Sequence, residues 1–121
     1  MTSFIYNKMQ KKYDKNNIFA KILKGEIPCD KVYEDEKVFA FKDINPKAPV
    51  HILVVPKAEY VSFDDFMEKA SDSEIAYFFK KVREIAKGQG VSESGYRVVA
   101  NNGEKAGQIV FHFHVHILGY N

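Results

Sequence analysis

Three of the chain's four histidines alternate with apolar residues in the run Phe111-His112-Phe113-His114-Val115-His116-Ile117-Leu118. In a β-strand, successive side chains point to opposite faces, so the run predicts histidines on one face, about 6.6 Å apart, and apolar residues on the other. In a helix each two-residue step turns by about 200°, which would scatter the histidines around the axis. The run therefore predicts a strand with one imidazole face and one apolar face.

The 121-residue chain has the size and composition of a single domain. Its 45% of hydrophobic residues is enough for one core. The net charge of +2 argues against a broad nucleic-acid or membrane-binding surface. No apolar stretch approaches the roughly 20 residues of a membrane span, and residues 1–16 lack the apolar core of a secretory signal. We therefore expect one domain over residues 17–121, preceded by a flexible N-terminal extension over residues 1–16.

The chain has one cysteine, Cys29, which excludes an internal disulfide and a cysteine-rich zinc site within one chain. An unpaired cysteine is typical of a reducing compartment, and we predict a cytoplasmic protein. Cys29 itself is expected to be a small, half-buried packing residue.

Apolar periodicity and turn residues predict the other elements. A short helix follows Asn17 and ends at Gly25. A longer helix begins at a capping pair, Ser71 and Glu74, and ends at Gly88. Four more strands precede the histidine run, over residues 31–34, 38–43, 51–56 and 95–100. Five strands with one long helix and one or two short helices predict an α+β domain.

The histidine face is compatible with two kinds of chemistry. Neutral imidazole binds zinc or copper, and a His-x-His pair on one strand supplies two ligands. However, the third alternate position lies about 13 Å along the strand from the first, so three such histidines do not converge easily on one ion. Histidine also serves as a nucleophile toward phosphorus, a donor to phosphate oxygens and a proton source. Spacing alone leaves both hypotheses open, while a purely structural role explains one or two histidines better than three.

The chain resembles the histidine triad nucleotide-binding proteins. Residues 112–118 are similar to the His-φ-His-φ-His-φ-φ motif of that family, where φ is apolar. Residues 41–51, residues 95–103 and the pair at 107–108 also resemble it, and the similarity extends from about residue 17 to residue 119. This resemblance implies a five-stranded antiparallel sheet, extended across a homodimer, with no cofactor and no metal.

Within that family, the chain looks most like the small phosphoramidases, which cleave the P–N bond of purine nucleoside phosphoramidates. The resemblance implies that His114 attacks the α-phosphorus of an AMP-like substrate and forms a covalent nucleotidyl-histidine, which water then cleaves. His112 and His116 would orient the nucleophile, contact phosphate oxygens and assist protonation of the leaving amine. His51 would join them from a neighbouring strand.

The same resemblance implies a set of nucleotide-binding residues. Asp43 would accept hydrogen bonds from the ribose hydroxyls, although aspartate here is also a typical turn residue. The apolar slot for the base would comprise residues that a plain core explains equally well, namely Ile18, Phe19, Ile22, Phe41, Ile44 and Leu53. Residues of the loop before the histidine run would contact the phosphate region, namely Asn101, Gly107 and Gln108.

Two departures from the family pattern qualify the analogy. Ile109 occupies a position where close relatives often have a serine that donates to phosphate, so Gln108 or the backbone must replace that bond, or it is lost. Asn17 and Ala20 occupy the positions of a Cys-x-x-Cys zinc pair found in some bacterial relatives, so no structural zinc is expected. Three hypotheses remain: a phosphoramidase, a dinucleoside polyphosphate hydrolase or nucleotidyl transferase that shares His114, and a noncatalytic nucleotide- or metal-binding module.

Overall fold

A five-stranded antiparallel sheet forms the centre of the structure, a computed structural model that describes residues 12–121. The strands are β1 (Lys31–Glu34), β2 (Val38–Lys42), β3 (Val50–Pro56), β4 (Tyr96–Val99) and β5 (Val115–Gly119), in the spatial order β1-β2-β3-β5-β4. The helices of this part of the chain are α1 (Ile18–Leu23), α2 (Phe63–Lys69) and α3 (Asp72–Gly88), with a 3₁₀ turn at Glu104–Ala106. The predicted α+β fold with a five-stranded antiparallel sheet is confirmed.

Each face of the sheet carries an apolar core because the central strands alternate. On one face, alternate residues of β2, β3 and β5 pack against α2 and α3, in a core that includes Ala40, Val54, Ile117, Phe66 and Phe78. On the other face, the intervening strand residues pack against α1, in a smaller core formed by Phe19, Ile22, Phe39, Phe41, Leu53 and Val55. Burial of each of the Val, Leu, Ile and Phe side chains contributes about 1.5–3 kcal/mol. The smaller core forms the wall of the site described below.

Local hydrogen bonds fix the ends of the two helices that the sequence predicts. The Asn17 side chain accepts the N–H of Ala20 at the start of α1. Gly25 follows the same helix with a φ of 79°, which favours glycine because no Cβ is present. At α3, Ser71 Oγ accepts the N–H of Glu74, as the capping pair predicts. These two helices therefore begin and end close to their predicted limits.

Helix α2 is too short for apolar periodicity to reveal it, and a buried carboxylate stabilises its first turn. Asp65 is 1% exposed. Its backbone N–H donates to Ser62 Oγ, and its Oδ2 accepts the N–H of Val61 at 2.8 Å. Lys69 Nζ lies 2.7 Å from the other carboxylate oxygen. These bonds hold the first turn of α2 against the residues that immediately precede it.

The histidine run is a β-strand only in its second half. Strand β5 begins at Val115, so the predicted strand over residues 111–118 is wrong for its first four residues. The ladder with β3 ends at the pair Val54–Val115. Beyond it, Pro56 has no N–H to donate, and the N–H of Phe113 donates to Tyr60 O at 2.7 Å instead. The other strand limits agree with the prediction to within one residue at each end.

Side-chain alternation extends further than the strand itself. Phe113, Val115 and Ile117 lie in the larger core, as the apolar face of the run predicts. His114 and His116 lie on the opposite face.

Within residues 12–121, none of the helices combines the length and apolarity that crossing a membrane requires.

The predicted N-terminal extension falls partly outside the described residues, which begin at Lys12. Residues 12–16 lead into α1 through a turn in which the backbone N–H and the side-chain amide of Asn17 both donate to Asp14 O. Tyr13 is half-buried in this segment and contacts His112. The described part of the extension therefore contacts the domain.

Candidate active site

A cavity of about 610 Å³ opens on the α1 side of the sheet and is lined by most of the predicted site residues. Those that line it are His51, His114, His116, Asp43, Ile18, Phe19, Ile22, Phe41, Ile44, Leu53, Asn101 and Gly107. The two that do not line it are His112 and Gln108. The three cavity histidines come from β3, from β5 and from the residue immediately before β5.

His114 is held as a neutral ring with a known tautomer. Its Nδ1 lies 2.8 Å from the carbonyl oxygen of His112, which can only accept, so the proton is on Nδ1 and the lone pair is on Nε2. The ring of Phe19 contacts it edge-to-face, with the centroids 4.8 Å apart. Burial lowers the pKa of His114, which keeps the ring neutral. The unprotonated Nε2 of His114 is therefore available for nucleophilic chemistry.

His51 and His116 form a hydrogen-bonded pair with a fixed direction. The backbone N–H of Lys47 donates to His51 Nδ1 at 3.0 Å, so the His51 proton is on Nε2. That Nε2 lies 2.9 Å from His116 Nδ1, which must accept, so the His116 proton is on its own Nε2. Burial, together with the neighbouring His114 and His51, lowers the pKa of His116 to about 4. His116 is therefore a neutral donor in the cavity wall.

Asp43 combines the turn contact expected of aspartate with a position in the cavity. Its Oδ1 accepts the N–H of Asn45 at 2.8 Å, which is an Asx turn. Its Oδ2 lies 3.4 Å from His51 Nε2. Burial lowers the pKa of His51, and the Asp43 charge opposes that effect without overcoming it. One carboxylate oxygen of Asp43 thus shapes the loop, while the other faces the histidine pair.

Asp43, His51 and His116 also place three potential metal ligands within 4.8 Å of one another. A cation between them would need the lone pair of His51 Nε2. That nitrogen carries the proton, because Nδ1 already accepts the N–H of Lys47. Metal binding there would therefore require His51 to give up the Lys47 bond. The hydrogen-bond pattern favours a proton-donating pair over a metal centre.

His112 does not share the cavity with the other triad histidines. It is 0% exposed, and its Nε2 lies 2.7 Å from Pro56 O. Its Nδ1 lies 2.6 Å from the hydroxyl of Tyr13. Of the three histidines predicted to share one face, only His114 and His116 line the cavity. The side chain of His112 belongs to the protein interior, and its main-chain carbonyl contacts His114.

Gln108 holds the loop before the histidine run instead of lining the cavity. Its Oε1 accepts the N–H of Gly103, and its Nε2 donates to Val61 O and Val110 O. Gly107, at a φ of 99°, lines the cavity, but its N–H donates to Glu104 O. The loop is therefore rigidly anchored.

The cavity is also lined by residues for which the sequence predicts no binding role. They are Ile27, Pro28, Cys29, Lys42, Asn45, Lys47, Val99, Ile109, Val110 and Leu118. In the described part of the chain, the charged residues that line the cavity are Lys42, Lys47 and Asp43, so basic groups outnumber acidic ones. Lys42 and Lys47 lie in the family-like stretch 41–51, yet no pattern in the sequence separates them from ordinary surface lysines. Ile109 is 86% exposed at the cavity.

The sheet order, the cavity beside α1 and the alternating histidines together define a histidine triad fold. The chain belongs to the HIT domain family, whose model matches residues 24–121. An uncharacterized HIT-like protein of Azospirillum brasilense is 56% identical over 109 residues, which cover 90% of this chain and 89% of that protein.

Solved structures agree with this assignment. A HIT family hydrolase from Legionella pneumophila Philadelphia 1 matches with a TM-score of 0.77 and 39% identity, covering 86% of this chain and 92% of that one. A histidine triad nucleotide-binding protein from Candida albicans matches with a TM-score of 0.75 and 34% identity, covering 84% and 73%. The family that the sequence resembles is confirmed.

Proposed function

We propose that the protein is a nucleotide-binding hydrolase that cleaves the P–N bond of purine nucleoside phosphoramidates through a covalent nucleotidyl-histidine. The observation that carries this proposal is the tautomer of His114, whose Nδ1–H donates to His112 O and whose Nε2 keeps its lone pair. The names of two similar proteins, a hydrolase and a nucleotide-binding protein, support the same class of activity.

The cavity suits an AMP-like substrate in three parts. Asp43 Oδ2, beside His51, is an acceptor for ribose hydroxyls. Lys47 contributes positive charge to the cavity, and Lys42 contributes a second ammonium that also lies 3.5 Å from Asp30 Oδ2, so the lining favours a phosphate. The base would lie in the apolar slot lined by Ile18, Phe19, Ile22, Phe41, Ile44 and Leu53.

The first chemical step forms one bond and breaks another. The Nε2 lone pair of His114 attacks the α-phosphorus, and the P–N bond breaks as the electron pair moves to the amine nitrogen. His116 Nε2–H donates a hydrogen bond to that nitrogen, which takes up one proton from solvent and leaves as the neutral amine. His51 holds His116 in the donating tautomer. The product of this step is a phosphorylated imidazolium at His114.

The second step returns the enzyme to its initial state. Water attacks the α-phosphorus, the bond between phosphorus and His114 Nε2 breaks, and that nitrogen regains its lone pair. One proton returns to solvent, so the two steps together consume only water. The low pKa of His116 favours the neutral ring, and the hydrogen bond from His51 favours the same tautomer.

We also propose that the protein is a cytoplasmic homodimer whose sheet continues across strand β4. The edges of the sheet are β1 and β4. On β1, the ladder is irregular between Lys31 and Tyr33, which discourages pairing with a second chain. On β4, Val98 is 50% exposed. An apolar side chain on a regular edge strand favours β4 as the pairing edge.

The proposal is tested with a fluorogenic adenosine phosphoramidate in the presence of a chelator. We compare the wild type with His114→Ala and with Arg83→Ala, an exposed residue of α3 on the other side of the sheet. We expect chelator-resistant release of the amine by the wild type and by Arg83→Ala, and a fall in kcat of at least about 10³-fold for His114→Ala. Mass spectrometry of acid-quenched wild type would detect the nucleotidyl adduct.

Two outcomes contradict the proposal. One is release of the amine at equal rates by wild type and His114→Ala. The other is nucleotide binding by wild type without turnover, which would indicate a binding module. Preference for a dinucleoside polyphosphate over the phosphoramidate would indicate a dinucleoside polyphosphate hydrolase. Such an enzyme releases a phosphate leaving group, which needs no proton.

A further inference from the structure

Tyr13 contacts the one triad histidine that does not line the cavity. Its hydroxyl lies 2.6 Å from His112 Nδ1, and the two rings meet edge-to-face with centroids 5.5 Å apart. The two residues are 99 positions apart in sequence. Neither the mechanism above nor the family resemblance gives Tyr13 a role, and its segment is predicted to be a flexible extension. The contact therefore calls for its own explanation.

The hydrogen bonds around His112 define the direction of every proton. Pro56 O can only accept, so His112 Nε2 carries the proton and Nδ1 carries the lone pair. Tyr13 O–H must then donate to Nδ1. Burial lowers the pKa of His112 and raises the pKa of Tyr13, so both groups stay neutral. Tyr13, His112 and Pro56 thus form one string of hydrogen bonds with both imidazole nitrogens satisfied.

This string compensates for a gap in the sheet. The ladder with β3 ends at the pair Val54–Val115, so no pairing between β3 and β5 holds the main chain of His112. The N–H of Phe113, in the same peptide unit as the His112 carbonyl, donates to Tyr60 O. The side-chain bonds of His112, to Tyr13 on one side and Pro56 on the other, add a second restraint on this segment. The carbonyl of His112 is the group that accepts Nδ1–H of His114. A restraint on the ring of His112 is consequently a restraint on the nucleophile.

We propose that Tyr13 is a positioning residue for His114, acting through the neutral Nε2–H tautomer of His112 and its main-chain carbonyl. Tyr13 does not touch the substrate, and its part in catalysis rests on the proposed function. Its hydrogen bond to His112 Nδ1 does not depend on that function. Removal of the hydroxyl leaves a buried acceptor at Nδ1 without a donor, and this frees the His112 ring to reorient.

Tyr13→Phe is the variant that tests this role, because it keeps the ring and removes only the hydroxyl. Tyr120→Phe, at an exposed tyrosine, is the matched control. We expect Tyr13→Phe to lower kcat about 10-fold with KM changed less than about 2-fold, since a small misplacement of the nucleophile affects the reaction more than binding. A tyrosine that only packs would lower stability and leave kcat unchanged in the folded protein.

Nitrogen-15 NMR of the histidine rings gives a readout that needs no turnover. In the wild type we expect His112 as the neutral Nε2–H tautomer and His114 as the neutral Nδ1–H tautomer. In Tyr13→Phe we expect His112 to keep the Nε2–H tautomer that Pro56 O requires, with its Nδ1 signal moved to that of a nitrogen without a donor, and a weakened Nδ1–H signal at His114. An Nδ1–H tautomer of His112 in the wild type would overturn the proposal without recourse to any variant.

The kinetic and spectroscopic results separate the two proposals. Unchanged kcat and unchanged imidazole spectra in Tyr13→Phe would overturn the role of Tyr13, even if the wild type is a phosphoramidase. A wild type without turnover would contradict the proposed function. The NMR comparison would still decide whether Tyr13 donates to His112 Nδ1 and whether that bond restrains His114.

Discussion

His112 and His116 lie two residues to either side of His114, yet their rings have opposite relations to the cavity. His112 is fully buried, and both of its nitrogens are bonded within the protein. His116 lines the cavity, with Nδ1 bonded to His51 and Nε2–H as its remaining donor. Equal spacing in sequence gives the side chains the same direction from the main chain, but it does not determine what covers them. The comparison separates His112, which supports the structure around the site, from His116, which lines the cavity.

The largest expected effect is on kcat/KM and concerns His116, the histidine that lines the cavity. His116→Gln removes the ring that donates a hydrogen bond to the leaving nitrogen, and we expect kcat/KM to fall by about 10²–10³-fold, the typical cost of removing one donor to a transition state. Because His116 is only half-buried, stability should change little. Steady-state kinetics with the adenosine phosphoramidate, beside urea unfolding of the same samples, measures both. A variant that retains wild-type kcat/KM would remove the distinction between the two rings.

Substitution of the fully buried His112 should instead lower the stability of the fold. His112→Ala leaves a hole in the interior and deprives Pro56 O and Tyr13 of their partner. We expect the free energy of unfolding to fall by about 2–4 kcal/mol, more than for His116→Gln. Urea denaturation followed by circular dichroism measures this difference. Equal loss of stability in the two variants would argue that His112 is no more structural than His116.

The smallest effect is the response of stability to pH. Burial lowers the pKa of His51, His112, His114 and His116 below the ordinary histidine value of 6.5. Below that value the unfolded chain binds more protons than the native one, so the free energy of unfolding falls as the pH falls. For His116 this window runs from about 6.5 down to about 4.

The measurement is urea unfolding of wild type and His116→Gln between about pH 7 and about pH 5. Since glutamine does not titrate, the variant should lose less stability across this range than the wild type. The difference between the two slopes isolates the contribution of His116. Stability of the wild type that rises on acidification would contradict the lowered pKa values.

The parts of the fold that short-range chemistry controls are predictable from the sequence. The caps at Asn17 and Ser71 set the starts of α1 and α3. The alternation of apolar residues places Phe113, Val115 and Ile117 in the larger core. These predictions depend on neighbours within four residues, and they are confirmed.

The parts that could not be predicted depend on contacts between distant residues. Nothing near His112 in the sequence indicates that Tyr13, 99 residues away, contacts its ring. The start of β5 depends on Tyr60 O, which takes the N–H of Phe113 out of the ladder. Gln108 is predicted to contact phosphate, but its side-chain amide instead donates to Val61 O and Val110 O. In each case a tertiary hydrogen bond overrides a local pattern.

The hydrogen bond from Lys47 N–H to His51 Nδ1 has a consequence for the whole string that ends at His116. A main-chain N–H keeps its proton at any ordinary pH, so it can only donate a hydrogen bond. The direction of the hydrogen bonds that lead from Lys47 through His51 to His116 is therefore set by a main-chain N–H. It does not depend on the side chain at position 47. Proline is the single residue type that would erase it, and the loop that carries proline at 46 and 49 has none at 47.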